Sequence, residues 1–203
     1  MPSHPVPHAQ PVDLARFKVT HVRAAEGALR IGVVAARFNG DIVDALLEGA
    51  LRTLAEHDLS GDDVLLARVA GAWEIPQIVQ AMSEAGEVDA VIALGCIIRG
   101  ETAHFEVIVN ESARALMDIA MHSGMAVANG VLAVENIEQA IARSGGAEGN
   151  KGSEAAIAAI ETAGLMRTLT PENFDLDQEL DDLMGQFEHA QHQARQDKSG
   201  RRR

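Results

Sequence analysis

Two rhythms of apolar residues alternate along the middle of the chain. Short, nearly unbroken runs occur at Leu29 to Ala36 (LRIGVVAA), Val64 to Val69, Ala90 to Gly95 (AVIALG) and Ala126 to Val134. Runs of this length, rich in valine, isoleucine and alanine, predict strands buried on both faces. Between them apolar positions recur at helical spacing. Val43, Leu46, Leu47, Ala50 and Leu54 fall on one helix face, and Asn39 and Asp41 predict its start as a side-chain cap and a first-turn carboxylate. Ile75 to Ala85 predicts a second helix, with Pro76 in the first turn, where proline is tolerated. Glu106 to His122 predicts a long third helix, Asn136 to Arg143 a short fourth one, and Lys151 to Leu169 an alanine-rich last one. A polar, glycine-rich stretch (SGGAEGNKG) separates the last two.

This strand–helix alternation predicts an α/β fold. Parallel strands need crossover connections, and these are right-handed, so the expected architecture is a four-stranded parallel sheet flanked by helices on both faces. Ligands in such sheets bind outside the carboxyl ends of the strands. That rule directs attention to the loops Arg37–Asn39, Ala70–Glu74 and Cys96–His104, and to the surroundings of Asn129.

The ends of the chain break the rhythm. Residues 1–26 hold four of the six prolines and read as a mobile arm, with a short extended piece near Phe17 to Val22. The folded domain is expected over residues 27–170. Residues 171–203 read as an acidic, partly helical tail, in which Leu176, Leu180, Leu183, Met184 and Phe187 share a helical face. An accessory amphipathic helix and a docking peptide for another protein both fit that pattern.

Composition narrows the classes. The 203 residues are 47% hydrophobic but only 3% aromatic, so aliphatic side chains and alanine must fill the core. A formal net charge of -13 excludes a general nucleic-acid binder and means that any anionic substrate needs a local site of cations and helix N-termini. The single cysteine, Cys96, excludes an intrachain disulfide and fits a reducing compartment. No apolar run reaches the roughly 18 residues of a membrane span. The N-terminus lacks the basic and apolar regions of a secretory signal, so a cytoplasmic location is expected.

Familiar motifs are missing. The loop after the first strand reads AARFNG rather than GxGxxG, and Gly149-Asn150-Lys151-Gly152-Ser153 has the wrong spacing for a phosphate-binding P-loop. His189 and His192 lack a third ligand, so no metal site is expected. What remains is a constellation around Arg99-Gly100-Glu101-Thr102-Ala103-His104. His104 lies near a helix start at a strand's carboxyl end, and imidazole can transfer protons both ways near neutral pH. A structural or solvent-exposed histidine is the equally weighted alternative. Gly100, Glu101 and Thr102 can offer free backbone N–H groups to an anion. Arg99, the charge nearest that turn, reads as structural. Arg143 and Lys151 flank the glycine-rich stretch; an arginine can grip phosphate through paired hydrogen bonds, and a solvated surface charge is the alternative for each. Trp73 beside Glu74 offers an apolar face and an acceptor to a planar heterocycle, and Phe38 offers a second stacking surface, against core filling as the alternative for both aromatics.

The segments ARFNGDIVDALLEGAL, AGAWEIP, DAVIALGCIIRGETAHFEVI, NGVLAVENIEQAI and GNKGSEAA, in unbroken order over residues 27–170, resemble the 6,7-dimethyl-8-ribityllumazine synthase family. The resemblance implies a flavodoxin-like three-layer sandwich. It implies a transferase that joins 5-amino-6-(D-ribitylamino)uracil to 3,4-dihydroxy-2-butanone 4-phosphate, the penultimate step of riboflavin biosynthesis, with no metal or organic cofactor. By resemblance, Phe38 stacks on the pyrimidine, Ala72, Trp73 and Glu74 line the pyrimidine and ribityl site, and Cys96, Ile97 and Ile98 offer largely backbone hydrogen bonds. Glu101, Thr102 and Arg143 hold the phosphorylated ketone, with Lys151 as a secondary group, and His104 carries protons. Asn129 and Arg143 are expected from a neighbouring subunit, in a homo-oligomer that is a pentamer or a 60-subunit shell. An association with riboflavin synthase is implied as well. This chain departs from many members in having Asn129 in place of an aromatic residue and Ala70 in place of a proline. A non-catalytic lumazine- or flavin-binding scaffold of the same fold is the competing reading, and a flavodoxin-like carrier module a third.

Overall fold

A computed structural model of the chain describes residues 29–169. The expected arm at 1–26, with its extended piece, and the expected tail at 171–203 lie outside the described residues. Within them run β1 (Ile31–Ala36), α1 (Gly40–Glu56), β2 (Val64–Val69), α2 (Ile75–Ala85), β3 (Ala90–Ile98), α3 (His104–Ser123), β4 (Ala126–Val134), α4 (Ile137–Arg143), β5 (Ser144–Gly146), β6 (Gly149–Asn150) and α5 (Lys151–Thr168).

The sheet is four-stranded in the order β2-β1-β3-β4, and its neighbouring strands pair in parallel. The central strand shows why the apolar runs are unbroken. Ile31, Val33 and Ala35 of β1 enter one core with Ile42, Val43 and Leu46 of α1 and Ala155, Ala156 and Ala159 of α5. Val34 and Ala36 enter a second core with Ile75 and Val79 of α2 and Leu116 of α3. A strand between two helical layers has no solvent face to mark with polar residues. The α/β sandwich expected from the sequence is thus the observed fold.

Four local expectations change. Asn39 does not cap α1 through its side chain; it stands in the left-handed region (φ 55°, ψ 45°), its backbone carbonyl receives the first helical N–H groups, and its amide turns elsewhere. Asparagine tolerates that conformation better than most residues. α3 begins at His104, two residues before the expected Glu106, and β3 runs past Gly95 to Ile98 because β4 extends far enough to pair with it (Ile98 opposite Val134). The glycine-rich stretch holds a small antiparallel hairpin of β5 and β6.

Asn150 organises the end of that hairpin. Its Oδ1 accepts from the backbone N–H groups of Gly152 (2.9 Å) and Ser153 (3.2 Å), capping α5. Its Nδ2 donates to the Ala45 carbonyl of α1 (2.9 Å) and to the Ser144 carbonyl (3.3 Å). One amide therefore caps α5 and ties it to α1. Gly152 permits that approach, since a Cβ there would strike the Leu46 carbonyl.

Asn150→Ala removes the cap and leaves the Ala45 carbonyl without this donor, which should cost about 2 kcal/mol. Asn150→Ser, which retains a capping oxygen, should cost about 1 kcal/mol. Urea unfolding at fixed protein concentration checks both values; a wild-type midpoint for Asn150→Ser would contradict the inter-helix tie, and equal midpoints for the two variants would contradict the cap.

Candidate active site

The chain leaves β1 for β2 on one side and then returns to place β3 on the other side of β1. The strand order reverses between β1 and β3, which is where ligands bind in open α/β sheets. Here the two carboxyl ends are bridged by the Asn39 amide, whose Nδ2 donates to the Cys96 carbonyl (2.8 Å).

A cavity of about 340 Å³ opens at this point. Phe38, from the loop after β1, and Ala72 and Trp73, from the loop after β2, form one side. Cys96, Ile97 and Ile98 at the end of β3 supply another, and Gly100, Thr102 and His104 close it at the start of α3. Phe38 is 70% exposed and Trp73 47%, so both rings are surface for a ligand to cover rather than core filling. Glu74 and Glu101 are not lining residues. The Glu74 carboxylate accepts from the Gly71 N–H (2.9 Å) and holds the turn that presents Ala72 and Trp73. Glu101 sits exposed between two lining residues.

The helix starts around this cavity share a property. Asn39, Glu74 and Ala103 precede α1, α2 and α3, and none caps its helix with a side chain. No side chain competes with an anion for the first-turn N–H groups of α3, of which that of Phe105 makes one long bond to the Thr102 carbonyl (3.5 Å). His104, the first residue of α3, is exposed beside them. Aromatic faces, backbone donors at a strand end, uncapped helix N–H groups and an imidazole thus meet in one recess. Such a recess can hold a flat heterocycle next to an anionic group and move protons between them.

The remaining expected residues stand elsewhere. Asn129, Arg143 and Lys151 line a second recess of about 370 Å³, along the edge strand β4 and the start of α5. Asn129 Oδ1 accepts from the Val131 N–H (3.0 Å), Arg143 donates to the Gln139 carbonyl (3.2 Å), and Lys151 Nζ meets both Glu154 oxygens (2.8 and 2.7 Å). Sequence reasoning missed Gly71, Phe105 and Ile108 as lining residues. Helical periodicity counted from His104 rather than Glu106 would have found the last two. It also missed the bridging role of Asn39, which no local pattern encodes.

Among the described residues no helix is long and apolar enough to cross a membrane, and no group of three or more histidine, cysteine, aspartate and glutamate side chains could hold a metal. A family model described as 6,7-dimethyl-8-ribityllumazine synthase matches residues 28–167. The chain is 46% identical over 140 residues to the 6,7-dimethyl-8-ribityllumazine synthase of Xanthomonas campestris pv. campestris (strain B100), a match covering 69% of this chain and 91% of that protein. The same identity and coverage relate it to the protein of that name from Xylella fastidiosa (strain 9a5c). The corresponding protein of Xanthomonas oryzae pv. oryzae (strain PXO99A) is 45% identical over 140 residues, again covering 69% and 91%.

Burial pushes the Cys96 thiol up to about 11. The thiolate is the reactive form, so the native protein should react with a thiol reagent at pH 8 on the order of 100-fold more slowly than the urea-unfolded chain. Equal native and unfolded rates would show that the end of β3 is open to solvent.

Proposed function

Because the chain belongs to the 6,7-dimethyl-8-ribityllumazine synthase family, we propose that the cavity between β1 and β3 is its active site and that a neighbouring subunit completes it. The enzyme condenses 5-amino-6-(D-ribitylamino)uracil with 3,4-dihydroxy-2-butanone 4-phosphate, releasing phosphate and water, in riboflavin biosynthesis. The observation that carries the site assignment is the meeting of Phe38, Trp73, the backbone at Cys96–Ile98 and His104 around one recess at the switch point.

In this reading the pyrimidine lies against Phe38 and Trp73, with hydrogen bonds to the β3 end. The phosphate of the ketone lies over Gly100–Thr102. Holding the two substrates side by side removes much of the entropic barrier to attack of the 5-amino group on the ketone. Imine formation, loss of phosphate and ring closure each move protons, and His104 carries them. Arg143 grips the departing phosphate from the next subunit, with Asn129 beside the pyrimidine and Lys151 in support. That division is favoured because Asn129, Arg143 and Lys151 line the β4 edge and not the chain's own cavity.

A homo-oligomer is part of the proposal, with a pentamer as its unit, alone or as twelve pentamers closed into a shell. Exposed apolar side chains support an assembly: Met117 (62%) and Met121 (76%) on α3, and Ile137 and Ile141 on α4, are surface that a lone chain would leave wet. Association with riboflavin synthase and a cytoplasmic location complete the proposal.

Mixing the purified protein with both substrates should accelerate lumazine formation, followed by absorbance, above the uncatalysed condensation; no acceleration in assembled protein would favour the non-catalytic scaffold. Arg143→Ala should raise KM for the phosphorylated ketone at least about tenfold while leaving KM for the pyrimidine within about twofold. Assayed with the ketone well below its KM, where each variant alone is nearly silent, His104→Ala and Arg143→Ala chains, unfolded together and reassembled in equal amounts, should recover about a quarter of wild-type activity, because about one interface in four then pairs an intact His104 with an intact Arg143. No recovery would place both residues in one subunit's site.

A further inference from the structure

We infer that Arg99 is a positioning residue for this reaction: its side chain clamps the start of α3 to the ends of β3 and β4, and so sets where the Gly100–Thr102 backbone and His104 stand. The inference rests on the site assigned above. Arg99 is the first residue beyond β3, and its own N–H still donates to the Val134 carbonyl at the end of β4 (2.9 Å). Its Nε donates to the Glu135 carboxylate (2.6 Å), and its Nη1 donates to Glu106 in the first turn of α3. Its guanidinium also lies over the Phe105 ring, with Cζ 4.2 Å from the centroid. Phe105 and Glu106 directly follow His104 in the chain, and Phe105 lines the cavity.

The clamp reaches one element further. Glu135's N–H donates to the Gln139 side chain (3.0 Å), which anchors β4's end to α4, the helix that ends at Arg143. The arginine fork suits this task, because one planar group can meet two carboxylates along its edge and a ring on its face. A lysine has neither the plane nor the fork. The hydrogen bonds also hold the charges in place: the Arg99 bond keeps Glu106 below the usual carboxylate range. Both of these carboxylates beside the loop are thereby paired with a cation. With its guanidinium committed to Glu106 and Glu135, Arg99 is poorly placed to grip the phosphate itself.

The Arg99 side chain is 38% exposed, and exposed ion pairs add little to stability. Loss of the clamp should therefore move the site more than it weakens the fold. Arg99→Gln and Arg99→Lys should keep the melting temperature within about 4 °C of wild type. Both should lower kcat by about 10- to 100-fold, the scale of a small misplacement at a reacting centre, with KM for the pyrimidine within about twofold. The Glu106→Gln/Glu135→Gln double variant should lose kcat similarly, and Arg99→Gln added to it should cost little more, since the three groups act as one unit. A readout independent of turnover accompanies these: amide hydrogen exchange over residues 100–106 should quicken in Arg99→Gln while β1 and β3 stay as protected as in wild type. Unchanged exchange there, unchanged kcat, or a kcat loss that follows loss of assembled protein would each overturn the inference. If exchange quickens but the wild-type protein makes no lumazine, the clamp stands and the assignment of the reaction falls. If the double glutamine variant instead lowers KM for the phosphorylated ketone, Arg99 is a phosphate ligand and not a positioning residue.

Discussion

Parallel strands cannot be joined by tight turns, and each crossover must carry the chain over one face of the sheet. Here that constraint determines where the chemistry sits. After β2 the chain has used one side of β1, and β3 takes the other. The loops leaving β1 and β3 then run in opposite directions and leave a crevice between two strand ends. The Asn39 amide spans it to the Cys96 carbonyl. Everything assigned to the chain's own site hangs from this crevice: Phe38 precedes Asn39, Ala72 and Trp73 follow the neighbouring strand, and Ile97 to His104 continue from Cys96. The helices divide accordingly. Those starting at the cavity, α1, α2 and α3, lack side-chain caps, whereas α4 and α5 are capped by Asn136 and Asn150. Side-chain caps are thus missing at the helix starts around the cavity and present at those away from it.

The same sheet order explains why one chain does not carry the full set of expected site residues in one place. β4 is added at the edge beyond β3, and α4 and α5 follow from it. Asn129 sits in the middle of that edge strand, opposite Ala93, with its side chain exposed. Arg143 ends α4 and Lys151 begins α5, so all three border the outer recess rather than the crevice. A cavity lined by aromatic rings and an imidazole but by no cation, and a separate edge recess lined by cations but by no aromatic ring, fit the proposed head-to-tail interface, where one surface of a subunit meets a different surface of the next.

Much of the fold was legible because buried parallel strands leave a crude signal. β1 and β3 appear as unbroken apolar runs because both their faces are buried, and α1 and α2 appear as helical stripes, whereas the edge strand β2 is an apolar run in which Leu65 and Leu66 stand exposed. The candidate residues at the strand ends were legible for the same reason, once the strands were placed. What escaped the sequence depends on partners distant in the chain. Asn39 looks like a cap, but its amide bonds a residue 57 positions away. The Asn150 tie to Ala45 spans 105 positions. Arg99 was recognisable as structural from its place, yet its partner Glu135 lies 36 positions on, and the stack on Phe105 depends on α3 starting two residues early. Hydrophobic periodicity carries no information about which polar groups meet across such separations.

Charge gives the last link. A chain with formal charge -13 must handle a phosphorylated substrate against its own average field. Three of the cations near the two recesses differ in what already answers them. Arg99 is committed to Glu106 and Glu135, and Lys151 to both oxygens of Glu154. Among the described residues Arg143 donates to a backbone carbonyl, that of Gln139, and forms no ion pair with a carboxylate. An arginine held by a neutral acceptor keeps a planar fork and its full charge for a dianion, while one held between carboxylates has spent both on geometry. The division of labour proposed for Arg99 and Arg143 follows from those acceptors. Under that proposal the cation that shapes the phosphate loop is neutralised where it stands, and the cation assigned to the phosphate is kept apart, on the recess along β4.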